Sequence, residues 1–374
     1  MNTNEIRSFV VRGMLAIAAL AVMLGVFSPP SLAQSFSGDV YVLTNQTTGN
    51  YVKVYHRFSN GSLLFFNSIA TGGSGTGTGA DPLGSQGALV LDKDHRLLFA
   101  VNAGSNNVSV FAVNGDNLSL LNKVPSGGTK PVSIGVYGGL VYVLNAGGTP
   151  NITGFTINPL TNYLAALSGS TRNLPGGSSA SPAQVSFSLD GGILMVTEKG
   201  TSKIDIYTVN ALGYSSLHGS YTSSGTTPFG FAFTHHDYEI VSEAGPDALS
   251  SYEVDENGDL ELVTGSLGDG QAATCWAVVT DDGLYAYAAN AGTNNISLYG
   301  VSDGTLTLLD ATAGTTGTGS TPTDMALSAD SHFLYVRDGG NGKVSGFQVN
   351  GDGSLTPVGS VSGIGSDTQG LAAR

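Results

Sequence analysis

The chain has 374 residues, of which 54 are glycine and only 11% are charged, a composition typical of many short strands and tight turns rather than of long helices. The formal net charge of −14 argues against nucleic acid and anionic membrane surfaces as partners. A single cysteine cannot form an internal disulfide, so packing alone must stabilise the fold.

The first residues have the pattern of a secretory signal. Two arginines precede an apolar run over residues 14–27, which is followed by two prolines and the small-residue end "SLA". This run is too short to span a bilayer comfortably. The sequence therefore predicts a signal peptide over residues 1–33 and an exported mature chain, periplasmic or extracellular, with no stable membrane anchor. The alternative is that the segment is retained as an anchor.

Two distant stretches are nearly the same phrase: "LLFAVNAGSNNVS" at residues 97–109 and "LYAYAANAGTNNIS" at residues 284–297. Asn102 and Asn290 occupy matching places, 188 residues apart (290 − 102). Three segments between them repeat the same pattern, so the interval holds four repeats of roughly 47 residues, a span close to that of four-stranded propeller blades.

Extending the pattern to both ends gives seven units, which begin near residues 39, 87, 131, 182, 228, 273 and 322. The first unit, "GDVYVLTN", corresponds to a second strand, and the tail "SDTQGLAAR" corresponds to the missing innermost strand. Pairing of the two would close a ring and remove free sheet edges. The sequence predicts an all-β, seven-bladed propeller of four-stranded antiparallel blades, closed by the C-terminal strand, as a single domain over residues 34–374.

These units, with phrases of the form "LYVxNAGxNxVSVFxV" and closings such as "NGDGSLTPV", resemble the lactonase-type seven-bladed β-propellers. That family includes 6-phosphogluconolactonase and the carboxymuconate-lactonising enzymes. The resemblance covers nearly all of the mature chain. It implies a site on the face built from the loops between second and third strands and between blades, with opening or closing of a lactone as the chemistry.

The sequence departs from the family at the starts of the innermost strands. Catalytic members of the family carry His and Arg there, in phrases of the type G-C-H and G-P-R-H. The corresponding places here read "SPAQV", "TPFGF", "ATCWA", "TPTDM" and "DTQGL". No catalytic residue is therefore carried over from the family.

The first group of candidate residues lies at the ends of the second strands, where lactone hydrolysis would find a base and polarising groups. A closed ring places these positions around one channel mouth: Asn45, Asn102, Asn145, Glu198, Glu243, Asn290 and Asp338. Glu198 and Glu243 are the predicted catalytic bases, and Asn102, Asn145, Asn290 and Asp338 the predicted ligand contacts. The alternative is that these side chains cap the turns that follow them.

The second group lies near the starts of the innermost strands, where side chains reach the channel. Gln184, Trp276 and Asp324 are predicted ligand contacts, and Gln86 and Gln369 share their position. Trp276 suits a sugar or ring ligand, or alternatively fills space between blades. Lys199 and Arg337 are adjacent to candidates and point to the opposite face. We expect them to be packing or surface charges, with a substrate-anchoring role as the alternative.

No metal site is predicted. His235 and His236 alternate faces of a strand and lack a second ligand cluster, and "DENGDLE" has Leu260 where a calcium loop needs glycine. No cofactor is expected; the alternative is a Ca²⁺ or Mg²⁺ ion held by glutamate and asparagine oxygens in the channel.

Two functions remain open at this point. The first is an exported hydrolase or cyclase of a small lactone or carboxylate. The second is a non-catalytic binding or scaffold propeller for a glycan or protein. In either case we expect the protein to be a monomer. The channel mouth is predicted to be acidic and rich in amides, without cations. This prediction favours the second function or a neutral substrate.

Overall fold

The computed structural model describes residues 36–234 and 238–374, which form seven antiparallel sheets. The predicted signal peptide and the pair His235 and His236 lie outside these residues. One helix occurs in the described part of the chain, a single 3₁₀ turn at Gly177–Ser179. None of its helices has the length and apolar character needed to cross a membrane.

Each sheet is one blade of the predicted propeller, with strands running outward from the centre of the ring. Blade 1 contains β1 (Phe36–Leu43), β2 (Tyr51–Phe58), β3 (Leu63–Ala70) and β29 (Leu371–Ala373). Blade 2 contains β4 (Leu89–Leu91), β5 (Leu97–Asn102), β6 (Asn107–Asn114) and β7 (Asn117–Pro125). Blade 3 contains β8 (Thr129–Tyr137), β9 (Leu140–Gly147), β10 (Asn151–Ile157), β11 (Leu164–Ala166) and β12 (Arg172–Asn173).

The remaining blades have four strands each. Blade 4 contains β13 (Pro182–Phe187), β14 (Ile193–Glu198), β15 (Lys203–Val209) and β16 (Ser215–Thr222). Blade 5 contains β17 (Pro228–Phe233), β18 (Tyr238–Glu243), β19 (Ala248–Val254) and β20 (Leu260–Gly268). Blade 6 contains β21 (Thr274–Val279), β22 (Tyr285–Asn290), β23 (Asn295–Ser302) and β24 (Thr305–Thr315). Blade 7 contains β25 (Pro322–Leu327), β26 (Phe333–Asp338), β27 (Lys343–Val349) and β28 (Leu355–Ser362).

Closure of the ring confirms the prediction made from the tail. Strand β29 pairs antiparallel with β1, with Leu371 opposite Val42 and Ala373 opposite Val40. The Arg374 Nε also donates to Asp39 Oδ2 at 2.8 Å. Blade 1 therefore takes its innermost strand from the other end of the chain, and each blade of the ring is complete.

The core lies between blades, because the second strands are buried on both faces. All six residues of β5, β14 and β26 are buried, while the outermost strands, such as β3, are largely exposed. Each fully buried apolar side chain contributes about 1.5–3 kcal/mol. The near-continuous apolar runs of the second strands follow from this position. Blade 3 departs from the four-stranded pattern, since the short β12 also pairs with β10.

One connection between blades is much longer than the others. Residues 71–88 join β3 to β4, whereas the other connections take three to eight residues: 126–128, 174–181, 223–227, 269–273, 316–321 and 363–370. Loops of more than about 12–15 residues without secondary structure are uncommon inside a domain and often cover functional sites. This connection leads directly to the candidate site.

Candidate functional site

The asparagines at the ends of the second strands are buried, and in blades 2 and 6 both sides of the amide are hydrogen-bonded. Asn102 Oδ1 accepts from Thr71 Oγ1 at 2.6 Å, and its Nδ2 donates to Ser109 Oγ at 2.8 Å. Asn290 repeats the arrangement, with Thr274 Oγ1 at 2.7 Å and Ser297 Oγ at 2.8 Å. In blades 2 and 6, therefore, these side chains join the strand end to the surrounding loops.

Asn145 and Asp338 are also fully buried. Asn145 Nδ2 donates to the carbonyl of Ser126 at 3.1 Å and to Asn151 Oδ1 at 3.0 Å. Asp338 Oδ2 accepts from Ser345 Oγ at 2.6 Å, and burial raises the pKa of Asp338 to about 7. Both side chains make these contacts within their own blade or with the connection leading into it.

Glu198 occupies the same position in blade 4 and is 0% exposed. Its Oε1 accepts from the backbone N–H of Gly176 at 3.0 Å, and its Oε2 accepts from the Thr201 hydroxyl. The Asp205 carboxyl of the next strand lies beside it, and burial is the main cause that raises the pKa of Asp205 to about 8. The first predicted base is thus part of a buried carboxyl pair.

Glu243, the second predicted base, is 0% exposed and accepts from several donors. Its Oε1 receives hydrogen bonds from Ser223 Oγ at 2.9 Å and from the Gly225 N–H at 2.7 Å. Its Oε2 accepts from the Ser266 hydroxyl. The hydrogen bonds of both glutamates brace the loops around them, and within the described residues the two side chains have separate hydrogen-bond partners.

The innermost-strand candidates link blades across the centre of the ring. Gln184 forms two hydrogen bonds with the backbone of Phe231, at 2.8 and 2.9 Å, so its amide replaces a strand partner between blades 4 and 5. Gln86 does the same with the backbone of Ala277, on a blade across the ring. Trp276 is 1% exposed, and its Nε1 donates to the carbonyl of Ser85 at 3.2 Å.

The cations nearest the candidate residues are Lys199 and Arg337, which the sequence predicted to be packing or surface charges. Arg337 is fully buried; its Nε donates to Thr368 Oγ1 at 2.7 Å and its Nη1 to the carbonyl of Ala80 at 2.8 Å. Lys199 Nζ donates to the carbonyl of Gly84 and lies 4.7 Å from the centre of the Phe229 ring. Both cations therefore bind the connection between blades 1 and 2, Lys199 at Gly84 and Arg337 at Ala80.

Two carboxyl groups lie near these cations. Burial raises the pKa of Asp81, although Lys199 and Arg337 both act in the opposite direction. Burial also raises the pKa of Asp324 to about 7, opposed by Arg337 and by the N–H groups of Met325 and Leu371. Burial lowers the pKa of Arg337 to about 10. Asp324 interacts electrostatically with both Arg337 and Asp81.

A different signal in the repeat marks these residues. The position after the second-strand Asn, Glu or Asp is alanine in four blades: Ala103, Ala146, Ala244 and Ala291. It is Gln46 in blade 1, Lys199 in blade 4 and Gly339 in blade 7. The position before the Asn, Glu or Asp is uncharged in six blades and is Arg337 in blade 7. Such exceptions to a repeat are candidates for functional residues.

The opposite end of the ring holds a different charged group. Within the described residues, Asp39, His56 and Asp116 could bring one ligand atom each to within 4.8 Å of the others, beside a cleft of about 540 Å³. Arg374 already donates to Asp39, however, and His56 Nδ1 lies 2.7 Å from Asp39 Oδ1. The Arg374 guanidinium therefore supplies the positive charge that a metal ion would bring.

Comparisons with known proteins agree with the fold. The family model described as "Lactonase, 7-bladed beta-propeller" matches residues 268–369. No curated protein sequence matches the chain significantly. Three similar solved structures each cover 90% of this chain.

The first is a predicted 6-phosphogluconolactonase from Bacteroides fragilis, 18% identical, with a TM-score of 0.69 over 98% of that chain. A second, from Bacteroides uniformis, has the same description, with 17% identity and a TM-score of 0.70 over 99% of that chain. The third is the periplasmic gluconolactonase of Pseudomonas aeruginosa, with 17% identity and a TM-score of 0.69 over 98% of that chain. The resemblance to lactonase-type seven-bladed propellers is confirmed.

Proposed function

We propose that this chain is an exported enzyme that hydrolyses a small lactone at the mouth of the central channel. The observation that carries the proposal is a cluster in which Arg337 lies beside Asp324, a buried carboxyl whose pKa is raised to about 7. Lys199 and Arg337 bind the same connection, at the carbonyls of Gly84 and Ala80. Hydrolysis of a lactone needs a base for water and a positive group for the oxygen that becomes negative. This cluster contains both.

Asp324 is the proposed base. The backbone N–H of Met325 donates to its Oδ1 and that of Leu371 to its Oδ2, both at 3.1 Å, which fixes the carboxylate. The carboxylate takes one proton from water, and the resulting hydroxide attacks the lactone carbonyl carbon. The ring C–O bond then breaks, and its oxygen leaves as the alcohol after receiving the proton.

Arg337 and Lys199 are the proposed partners of the carbonyl oxygen and of the acid product. Both project from the end of the ring at which the second strands end, and preorganised cations are most effective in sites that exclude water. Arg337 is held by Thr368 and Thr323, so its position is fixed before a substrate arrives. The alternative set, Glu198 as base with Glu243, stays a prediction.

The printed descriptions of the similar structures support a sugar-acid lactone as the substrate class. Export is supported by the signal pattern of residues 1–33 and by the periplasmic description of the Pseudomonas aeruginosa protein. We propose no resident cofactor.

The test is hydrolysis of a panel of aldonolactones and muconolactones in a pH-stat, with and without EDTA. Asp324→Asn should abolish turnover above the spontaneous rate, whereas Glu198→Gln with Glu243→Gln should retain it. If only the double variant lost turnover, the role of base would be assigned to Glu198 or Glu243 instead of Asp324. Equal rates for wild type and buffer across the panel would refute the proposal, and a loss with EDTA would add a metal ion.

A non-catalytic binding propeller for a glycan or protein is the second candidate. The nine residues predicted as bases or contacts are all buried, at 7% exposure or less, and this favours a mainly structural role for them. Binding to a glycan array by a chain that hydrolyses no lactone would support this candidate.

A further inference from the structure

The long connection between blades 1 and 2 contains a stretch, residues 79–87, that we call the mouth segment. It contacts blades on all sides of the ring. Ser85 Oγ donates to the carbonyl of Val132 at 2.9 Å, and the Gln86 N–H donates to that of Ala183 at 3.2 Å. The Ser85 carbonyl also accepts from Gln369 Nε2 at 2.9 Å. The mouth segment therefore crosses the centre of the ring rather than following its rim.

Three of the four exceptions to the repeat, Lys199, Arg337 and Gly339, are contacts of the mouth segment. Lys199 donates to the carbonyl of Gly84, and Arg337 donates to that of Ala80. A Cβ on Gly339 would lie 2.2 Å from the Ala80 oxygen, so the alanine found there in other blades cannot be accommodated with the segment in place. Three of the four departures from the repeat therefore lie where this segment meets the ends of the second strands.

The acceptors that contact the two cations are nevertheless neutral. Lys199 is bound by a carbonyl, and Arg337 by carbonyls and hydroxyls. Hydrogen bonds from cations to anionic oxygens are roughly twice as strong as those between neutral groups. A small oxyanion would therefore be a better partner for both cations than the mouth segment is.

Asp81 supplies the nearest negative charge on the segment. It is attracted by Lys199 and Arg337, yet burial raises its pKa in spite of both. Desolvation thus outweighs the attraction, and the carboxylate would regain hydration if the segment moved out into water. The segment is held in place by contacts that an incoming anion can replace.

We propose that Lys199 and Arg337 form a binding site for a small oxyanion, a carboxylate or a phosphate, which the mouth segment covers as an internal substitute. Asp81 and the carbonyls of Ala80 and Gly84 then take the place of ligand oxygens. The inference rests on the proposed function, because the acid group of a lactone substrate or product would occupy the same donors. Binding requires the segment to move aside.

Cys275 provides a reporter for this movement. It is the only cysteine in the chain, is 9% exposed, and lies close enough to Asp81 and Lys199 to be affected by both charges. Burial raises the pKa of its thiol to about 12, so the covered thiol reacts slowly. Alkylation of Cys275 by iodoacetamide, followed by mass spectrometry, measures how often the mouth segment opens.

The experiment compares the alkylation rate in buffer with the rates in inorganic phosphate, in gluconate and in neutral glucose. We expect one or both anions to raise the rate about tenfold, the equivalent of one lost charge-assisted hydrogen bond, and glucose to leave it unchanged. Acceleration by phosphate alone would identify a phosphate site, and acceleration by gluconate alone a carboxylate site. Lys199→Gln should remove the response.

Gly339→Ala tests the segment without changing charge. It should raise the alkylation rate in plain buffer by displacing the Ala80 carbonyl. Gly340→Ala is the matched control, because a Cβ there would meet the Gly319 carbonyl instead. An unchanged urea unfolding midpoint checks the fold of both variants.

Rates that respond neither to the anions nor to Gly339→Ala would overturn the inference, as would an anion response that persists in Lys199→Gln. Alkylation needs no turnover, so its outcome is independent of lactone hydrolysis. An anion response in a chain that hydrolyses no lactone would contradict the proposed function alone.

Discussion

Substitution of Asp205 by asparagine should change how the stability of this protein depends on pH. Asp205 is 0% exposed, and its Oδ1 accepts from Ser220 Oγ at 2.5 Å. Its Oδ2 is buried without a hydrogen-bond donor among the described residues. The neighbouring Glu198 carboxyl is an acceptor as well, so a proton between the two groups satisfies both. Burial and this neighbour raise the pKa of Asp205 from 3.8 to about 8.

The direction in which the free energy of unfolding changes with pH follows from proton binding. Between about pH 4 and pH 8 the unfolded chain has lost the Asp205 proton and the folded chain retains it, so the free energy of unfolding falls as the pH rises. One retained proton gives a slope of about 1.4 kcal/mol per pH unit. Over the interval the loss amounts to about 6 kcal/mol at most, since the shift applies to a closely coupled pair. Above pH 8 no further loss comes from this group.

Asp205→Asn removes that proton and keeps a donor toward Glu198. The variant should therefore lose stability less steeply than wild type between pH 5 and pH 8, by up to about 1.4 kcal/mol per pH unit. Urea unfolding at several pH values, followed by the fluorescence of the only tryptophan, Trp276, measures the slopes. Asp303→Asn, in an exposed turn, is the control for loss of one charge. Parallel slopes for wild type and Asp205→Asn would refute the shared proton.

Three further predictions concern closure of the ring by β29, the bracing of loops by Glu243 and the role of Asp324 as base. Leu371→Ala, at 4% exposure on the closing strand, should lower the free energy of unfolding by about 2–5 kcal/mol, whereas Leu160→Ala, at 93% exposure, should change it by less than about 0.5 kcal/mol; equal urea midpoints would argue against closure by β29. Glu243→Gln should lower the free energy of unfolding by about 1–3 kcal/mol, because it replaces one acceptor oxygen by an NH₂ donor that faces other donors. An unchanged thermal midpoint would count against the bracing role. If Asp324 is the base, kcat/KM for a lactone should rise with pH and level off above about 7, and a profile flat from pH 5 to pH 9 would exclude that role.

The fold could be predicted from the sequence because every blade of a propeller repeats the same local pattern of strands and turns. The recurring "NAG" phrases gave the blade length, and the unmatched first unit indicated that the tail around Leu371 closes the ring. These features depend on strand periodicity and turn residues within one blade. Each blade repeats them, so the pattern could be checked seven times along the chain.

The candidate site was harder to predict because it depends on contacts between distant parts of the chain. Alternation predicts that Lys199 and Arg337 lie on the face opposite Glu198 and Asp338, but it does not indicate which face contacts the mouth segment. The acids brace inter-blade loops, and the cations meet the mouth segment. The position of that segment depends on a connection without strand periodicity, so only its unusual length was visible in the sequence.

The most direct test of the mouth site is a crystal structure of the mature chain grown with a high concentration of gluconate. The account predicts the gluconate carboxylate at Lys199 Nζ and the Arg337 guanidinium, with Ala80 and Gly84 displaced from these donors. Gluconate bound elsewhere, for example in the cleft beside Asp116, with the Ala80 carbonyl still on Arg337, would contradict it.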